Sequence, residues 1–205
     1  MAKEPTTKAP AKPRRKRPAR GTYHHGNLRR ALMDAALKFV QEGGPDAFSM
    51  AEAARQAGVS SGAPYRHFPD RMALMRAVAA EGEELLGEAM DRAIDSAGND
   101  PWSRLFAVGH AQLAFAREYP AHFRVSYSPE YRSTDEDAGW QGEVETNRSR
   151  LLGAPRSRDV AAVFAAQCAI YGLARMLVDG QLGDVEPEAL DEGLRAVLGT
   201  LRGRS

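Results

Sequence analysis

Helical spacing of apolar residues begins near Gly26 and recurs almost to the end of this 205-residue chain, which predicts an all-α protein. Two further observations point the same way. No run alternates β-branched and polar residues as a half-buried strand would. Glycine and proline clusters, such as Gly43-Gly44-Pro45 and Gly98-Asn99-Asp100-Pro101, fall between segments of helix length. About nine helices are expected.

Residues 1–20 stand apart. They are rich in Pro, Lys, Arg and Ala and show no apolar periodicity, so they are expected to form a disordered arm. From Gly26, the residues Leu28, Leu32, Ala35, Ala36, Phe39 and Val40 mark one face of a first helix, stopped at Gly43-Gly44-Pro45. Ser49-Met50-Ala51-Glu52 has the Ser-x-x-Glu spacing of a capping box and opens a short helix over 50–56. Gly58 stands where a helix-terminating glycine belongs. Ser60 offers a second N-cap, and a second short helix should run to about Phe68, with Pro64 early enough to be tolerated.

After Pro69-Asp70 the spacing of Met75, Val78, Gly82, Leu85, Leu86, Ala89 and Ala93 predicts a long helix over 71–97. Another follows the turn at 98–101, marked by Trp102, Leu105, Phe106, Gly109, Leu113 and Ala116, and ends before Pro120. A shorter helix is expected over 121–127, a polar loop over 128–142 and a weak helix over 143–152. Residues 156–178 are strongly helical. Pro187 opens the last helix, whose apolar face carries Leu190, Leu194, Val197, Leu198 and Leu201.

Composition narrows the function classes. Apolar residues at 43% and charged residues at 27% are those of an ordinary folded domain. The one cysteine, Cys168, excludes a disulfide framework and a cysteine-based zinc cluster, so a reducing cytoplasm is the expected compartment. The N-terminus is basic, but no apolar segment of a secretory signal follows it. The most apolar run, 160–174, is too short to span a bilayer and is expected to be a core helix. The net charge of +1 hides an asymmetry. Residues 1–20 carry eight Lys or Arg against Glu4, residues 21–70 carry five charges of each sign, and residues 71–205 carry 15 basic and 21 acidic. A basic arm ahead of an acidic body suggests a polyanion partner at the N-terminal end.

Function is most legible in residues 49–68, SMAEAARQAGVSSGAPYRHF. Two short helices joined by a glycine-containing turn are set steeply against each other, and the second is then free to enter the major groove of DNA. Ala53, Ala54 and Val59 are small enough to let the helices pack closely. Ser60, Ser61 and Gly62 permit close approach to base edges and phosphates. Tyr65 and His67 can hydrogen-bond phosphate oxygens, and Arg66 can also reach guanine.

These residues resemble the DNA-binding domain of TetR-family transcriptional regulators. The resemblance covers residues 23–90. It is carried by Tyr23-His24-His25-Gly26-Asn27-Leu28, Ala57-Gly58-Val59-Ser60, Tyr65-Arg66-His67-Phe68 and Asp70-Arg71-x-x-Leu74. It implies a DNA-binding domain over 21–70 and a ligand-binding and dimerisation body over 71–205. It also implies that Ser60, Ser61, Gly62, Tyr65, Arg66 and His67 face DNA. Tyr23, His24 and His25 would lie where the first helix approaches the backbone, and Arg71 where the family usually has a phosphate-contacting lysine. Residues 101–200 resemble the WHG-type C-terminal domain of the family, through 102–127 and Tyr171-Gly172-Leu173-Ala174. The Trp and His common in the penultimate helix are here Gln167 and Tyr171.

The implied body has polar groups among aromatics, which suits a mixed pocket between helices. Trp102, Phe106, His110, Phe123, Tyr127, Gln167 and Tyr171 are the expected lining for an unidentified small-molecule effector. The last two helices have broad apolar stripes. They are expected to build a four-helix interface in a homodimer, or else to close the monomer's own core. A two-fold dimer would read an approximately palindromic operator in double-stranded DNA. The full expectation is a dimeric repressor released by its ligand, with no catalytic residue, metal, cofactor or membrane partner.

Other readings compete. A non-specific or architectural DNA binder could rely on the basic arm. Gly58-Val59-Ser60-Ser61-Gly62 matches the Gly-x-Ser-x-Gly of a hydrolase nucleophile elbow, but a helix precedes it where a strand is needed. The five histidines lack supporting carboxylates at metal-ligand spacing, and no His-Glu-x-x-His occurs.

Overall fold

The computed structural model describes residues 28–131 and 157–202. Seven α-helices occupy them: α1 (Leu28–Gly43), α2 (Met50–Gln56), α3 (Arg71–Ser96), α4 (Pro101–Glu118), α5 (Pro120–Ser126), α6 (Ser157–Val178) and α7 (Pro187–Arg202). Two single 3₁₀ turns, Pro45–Ala47 and Pro64–Arg66, flank α2. No strand occurs among the described residues. The difference from nine helices has two sources. The second helix of the motif is a 3₁₀ turn, and the weak helix expected over 143–152 lies outside the described residues.

Local signals set most boundaries. The carboxylate of Asp70 accepts from the Ala73 amide at 2.7 Å and opens α3. Asp100 accepts from the Ser103 amide and hydroxyl, each at 2.8 Å, and opens α4 with Pro101 in its first turn. Those two bonds hold the Asp100 carboxyl below its usual range. Ser49 caps α2 by accepting from the Glu52 amide at 3.2 Å. The reciprocal half of the expected capping box is not made. Glu52 turns outward to pair with Arg55, a charge-assisted contact that outcompetes one backbone amide.

Two hydrophobic cores share α3. The first gathers Leu32, Ala36 and Val40 of α1, Met50 and Ala53 of α2, Phe48, Phe68, and Leu74, Met75 and Val78 of α3. Ala121, Val125 and Tyr131, from α5 and the turn after it, enter this same core. The second gathers Leu86 of α3, Leu105, Leu113 and Phe115 of α4, Phe123 of α5, Ile170 and Ala174 of α6, and Leu190, Leu194 and Leu198 of α7. The division between cores thus falls inside α3, between Ala79 and Leu86.

Two glycines let helices touch. A Cβ at Gly82 would collide with Ser126 Oγ and stand 3.1 Å from His122 Cβ, so α3 and α5 meet there. A Cβ at Gly109 would stand 3.0 Å from Ile170 and 3.1 Å from Leu194, where α4 meets α6 and α7.

The apolar run in α6 is longer than 160–174. Over 161–178 it is long and apolar enough to cross a membrane by length and composition, because the helix continues to Val178. Its inner face is nevertheless a core face: Val163, Ala166, Ile170, Ala174 and Val178 are buried.

Candidate nucleic-acid interface

A seven-residue helix is too short to persist alone. Burial of Met50, Ala53 and Ala54 holds α2, and both its ends are capped. At the C-terminus Val59 N–H donates to Ala54 O at 3.0 Å and Gly58 N–H to Arg55 O at 3.1 Å. This is the paired bonding of a Schellman turn, which needs a left-handed residue, and Gly58 supplies it with φ 68°. The chain is thereby turned sharply out of α2 into Ser60.

From there the backbone proceeds by tight turns. Ala63 N–H donates to Ser60 O at 3.0 Å and His67 N–H to Pro64 O at 2.9 Å. Pro64 has no N–H to return to Ser60, so the regular helix expected to Phe68 is cut to overlapping turns. Pro64 and Phe68 are buried and anchor the segment from behind. Ser60, Ser61, Gly62, Tyr65, Arg66 and His67 all point outward, and Tyr65 is 56% exposed despite its apolar ring. A Cβ at Gly62 would meet nothing within 4 Å, so the fold does not require the bare backbone there. The surface so formed is polar, singly basic and stiffly backed.

Sequence reasoning missed Arg29. Its guanidinium lies 4.6 Å above the Phe68 ring, and its exposed position places a second cation beside the outward residues. The signal was weak, one of two adjacent arginines in the first turn of α1. Tyr23, His24 and His25 lie outside the described residues.

Arg71 sits differently. Its Nε donates to Phe48 O at 3.2 Å, and its Nη2 donates to Pro45 O at 2.7 Å and to Tyr131 Oη at 2.8 Å. Glu130 lies 3.6 Å from Nη1 and Asp46 3.8 Å from Nη2. The expected phosphate-facing cation is thus half-buried and hydrogen-bonded to its own chain.

The expected pocket lining divides in two. Phe123, Tyr127 and Tyr171 form an aromatic trio between α5 and α6, with centroids 4.5 Å (Phe123–Tyr127), 5.2 Å (Tyr127–Tyr171) and 6.1 Å (Phe123–Tyr171) apart. Buried Gln112 donates to Tyr127 Oη at 2.7 Å. Gln167 Oε1 is buried and has no hydrogen-bond partner. Phe106 and His110 belong elsewhere, on the side of α4 that faces α7. Arg195 stacks on Phe106 at 4.2 Å, and His110 Nδ1 meets Asp191 at 2.7 Å. Trp102 packs half-buried against the second core. Phe106 and His110 lie one turn apart on the α7 side of α4, whereas the trio comes from α5 and α6, so the expected lining falls into two groups.

Where the first helix meets the body, a charged cluster runs from the surface to buried His122. Arg30 pairs with Glu81 and, at 2.6 Å, with Asp34. His122 Nε2 lies 3.9 Å from Glu81 Oε2, and neither atom has a hydrogen-bond partner. Burial pushes the His122 imidazole below its usual range, against the pull of Glu81.

A family model described as bacterial regulatory proteins, tetR family, matches residues 32–78. A second, described as tetracyclin repressor-like, C-terminal domain, matches residues 105–201. The chain is 34% identical over 98 residues to the HTH-type transcriptional repressor KstR of Mycolicibacterium smegmatis, covering 47% of this chain and 48% of that one. It is 30% identical over 100 residues to the nucleoid occlusion factor SlmA of Vibrio campbellii, covering 48% and 50%. The chain therefore spans about half the length of the curated relatives it matches. A protein of unknown function from Rhodococcus sp. RHA1 is similar in structure, with TM-score 0.68, 28% identity, and coverage of 90% of this chain and 98% of that one. A TetR variant from Acinetobacter baumannii AYE, solved with minocycline, shares the fold at TM-score 0.57 and 23% identity, covering 90% and 99%.

Proposed function

The chain belongs to the TetR family of bacterial regulatory proteins, and from that premise we propose that it is a site-specific DNA-binding transcriptional repressor. One observation carries the reading. Six residues from Ser60 to His67 face outward on a segment fixed by buried Pro64 and Phe68. An enzyme surface would bring acid, base or nucleophile together; here serines, a tyrosine, an arginine and a histidine are spread along one edge. That is the donor set for phosphates and for the guanine edge.

The repressor acts as a homodimer through α6 and α7. Phe164, Cys168 and Tyr171 lie along one exposed side of α6, an unusual place for such residues unless a second subunit covers them. Two reading segments related by a two-fold axis then sit about one DNA turn, roughly 34–36 Å, apart or a multiple of it, and the operator is an approximate palindrome. A small molecule releases the protein by favouring a different spacing. The aromatic trio and the unpaired Gln167 oxygen support a planar, largely apolar effector with a hydrogen-bond donor. The minocycline complex of a structural neighbour supports small-molecule control in the same way.

The test separates the reading surface from the basic arm. Tyr65→Ala with Arg66→Ala should abolish preference for a selected site while leaving weak, salt-sensitive binding. Removal of residues 1–20 should weaken binding and keep the preference. The opposite pattern would favour an arm-driven, non-specific binder.

A further inference from the structure

We propose that Arg71 is a positioning residue for DNA reading, which sets the reading segment through Tyr131 of the body instead of holding a phosphate; this rests on the DNA-binding reading above. An arginine has five N–H donors. The Nε hydrogen is committed to Phe48 O, and both Nη2 hydrogens to Pro45 O and Tyr131 Oη. Only Nη1 remains, and Glu130 stands 3.6 Å from it. A phosphate taking that nitrogen would have to compete with the Glu130 carboxylate beside it.

The bonds join three parts of the chain that set the reading geometry. Pro45 O and Phe48 O belong to the turn immediately before α2, and Arg71 itself is the first residue of α3. Tyr131 comes from the turn after α5, yet it is 1% exposed within the first core. Its phenol is raised by burial while the Arg71 bond opposes the shift, and the guanidinium lies 5.6 Å from its ring. A shift of α5 would pull Tyr131, and Arg71 would pass that movement to the turn that aims α2 and Ser60–His67. Replacing the arginine with the lysine usual in the family would supply one point charge where three directed bonds are made.

The experiment uses the full chain and a site selected from genomic DNA. Binding constants are measured on that site and on a version with one base pair inserted between half-sites, over a range of salt, with the active fraction fixed by stoichiometric titration. Tyr131→Phe keeps the ring and removes only the hydroxyl; Arg71→Met removes all the bonds. Both should weaken the selected site, Arg71→Met by about tenfold or more from its lost charged hydrogen bonds. Both should narrow the ratio between the two sites and leave the salt slope unchanged. A slope that falls by about 0.9 in Arg71→Met, with Tyr131→Phe like the parent, would make Arg71 a phosphate contact and overturn the proposal. An equal loss on both sites, with the ratio preserved, would reduce it to a structural role and overturn it too. If the parent protein prefers no site, the DNA-binding reading itself has failed, and this proposal fails with it.

Discussion

The first core and the outer side of α6 are opposites. In the first core, helices of modest hydropathy bury their apolar faces fully: Leu32, Val40, Leu74, Met75 and Val78 are each 0% exposed. In α6, the most apolar of the described helices, only 28% of residues 161–178 are buried, and Phe164, Tyr171 and Met176 are 47%, 37% and 40% exposed. Apolar content alone therefore does not say where the interior is. The first core is finished by its own chain, with Tyr131 inserted from the body. The α6 side keeps apolar residues exposed, and in the proposed dimer a second subunit covers them.

Substitutions can pull the two regions apart. Cys168→Arg places a charge among Phe164 and Tyr171. Buried at an interface without a partner, it should cost about 3–5 kcal/mol and convert a dimer to monomer in sedimentation velocity, with the helical spectrum retained. An unchanged sedimentation coefficient would remove the contrast. Leu74→Ala should do the reverse. It should cost the fold about 2–5 kcal/mol in denaturant unfolding and leave the subunits paired. Ser49→Ala, which removes the α2 cap, should cost about 1 kcal/mol by the same method and weaken DNA binding more than its small stability effect implies.

A pH effect sharpens the boundary between the regions. Glu81, Arg30 and Asp34 face His122, and the Tyr119 ring stands edge-on at 5.8 Å. Burial lowers the native imidazole pKa, so the unfolded chain takes up a proton near pH 6.5 while the folded chain does not. The stability this histidine leaves intact is present above about pH 6.5 and declines as pH falls through it. Thermal melts should show that decline, and His122→Gln should flatten it. Equal slopes in the two proteins would place the titration elsewhere.

Much of this was legible in the sequence, because helix boundaries depend on neighbours in the chain. Ser49, Asp70 and Asp100 cap where they stand, and Gly58 ends α2 as its position predicts. The misses are where local signals compete or distant residues decide. Pro64 reads as an early helix proline, but its missing donor prevents a regular helix from forming at all. Glu52 had two partners to choose from, and spacing could not rank them. Nothing near Tyr131 in sequence signals that it enters the core of α1–α3, or that Arg71 is turned inward to meet it. The expected pocket residues share a chemistry, but packing sends those of α4 toward α7 and puts the others between α5 and α6.

In the proposed function, a two-fold protein reads one DNA sequence twice. The measurement that meets it most directly is selection of bound fragments from genomic DNA by the purified full-length chain at moderate salt, followed by sequencing. The account predicts one recurrent motif whose two halves are inverted copies, centred about one helical turn apart or a multiple of it. Fragments with no shared motif, or a single unpaired half-site, would contradict it.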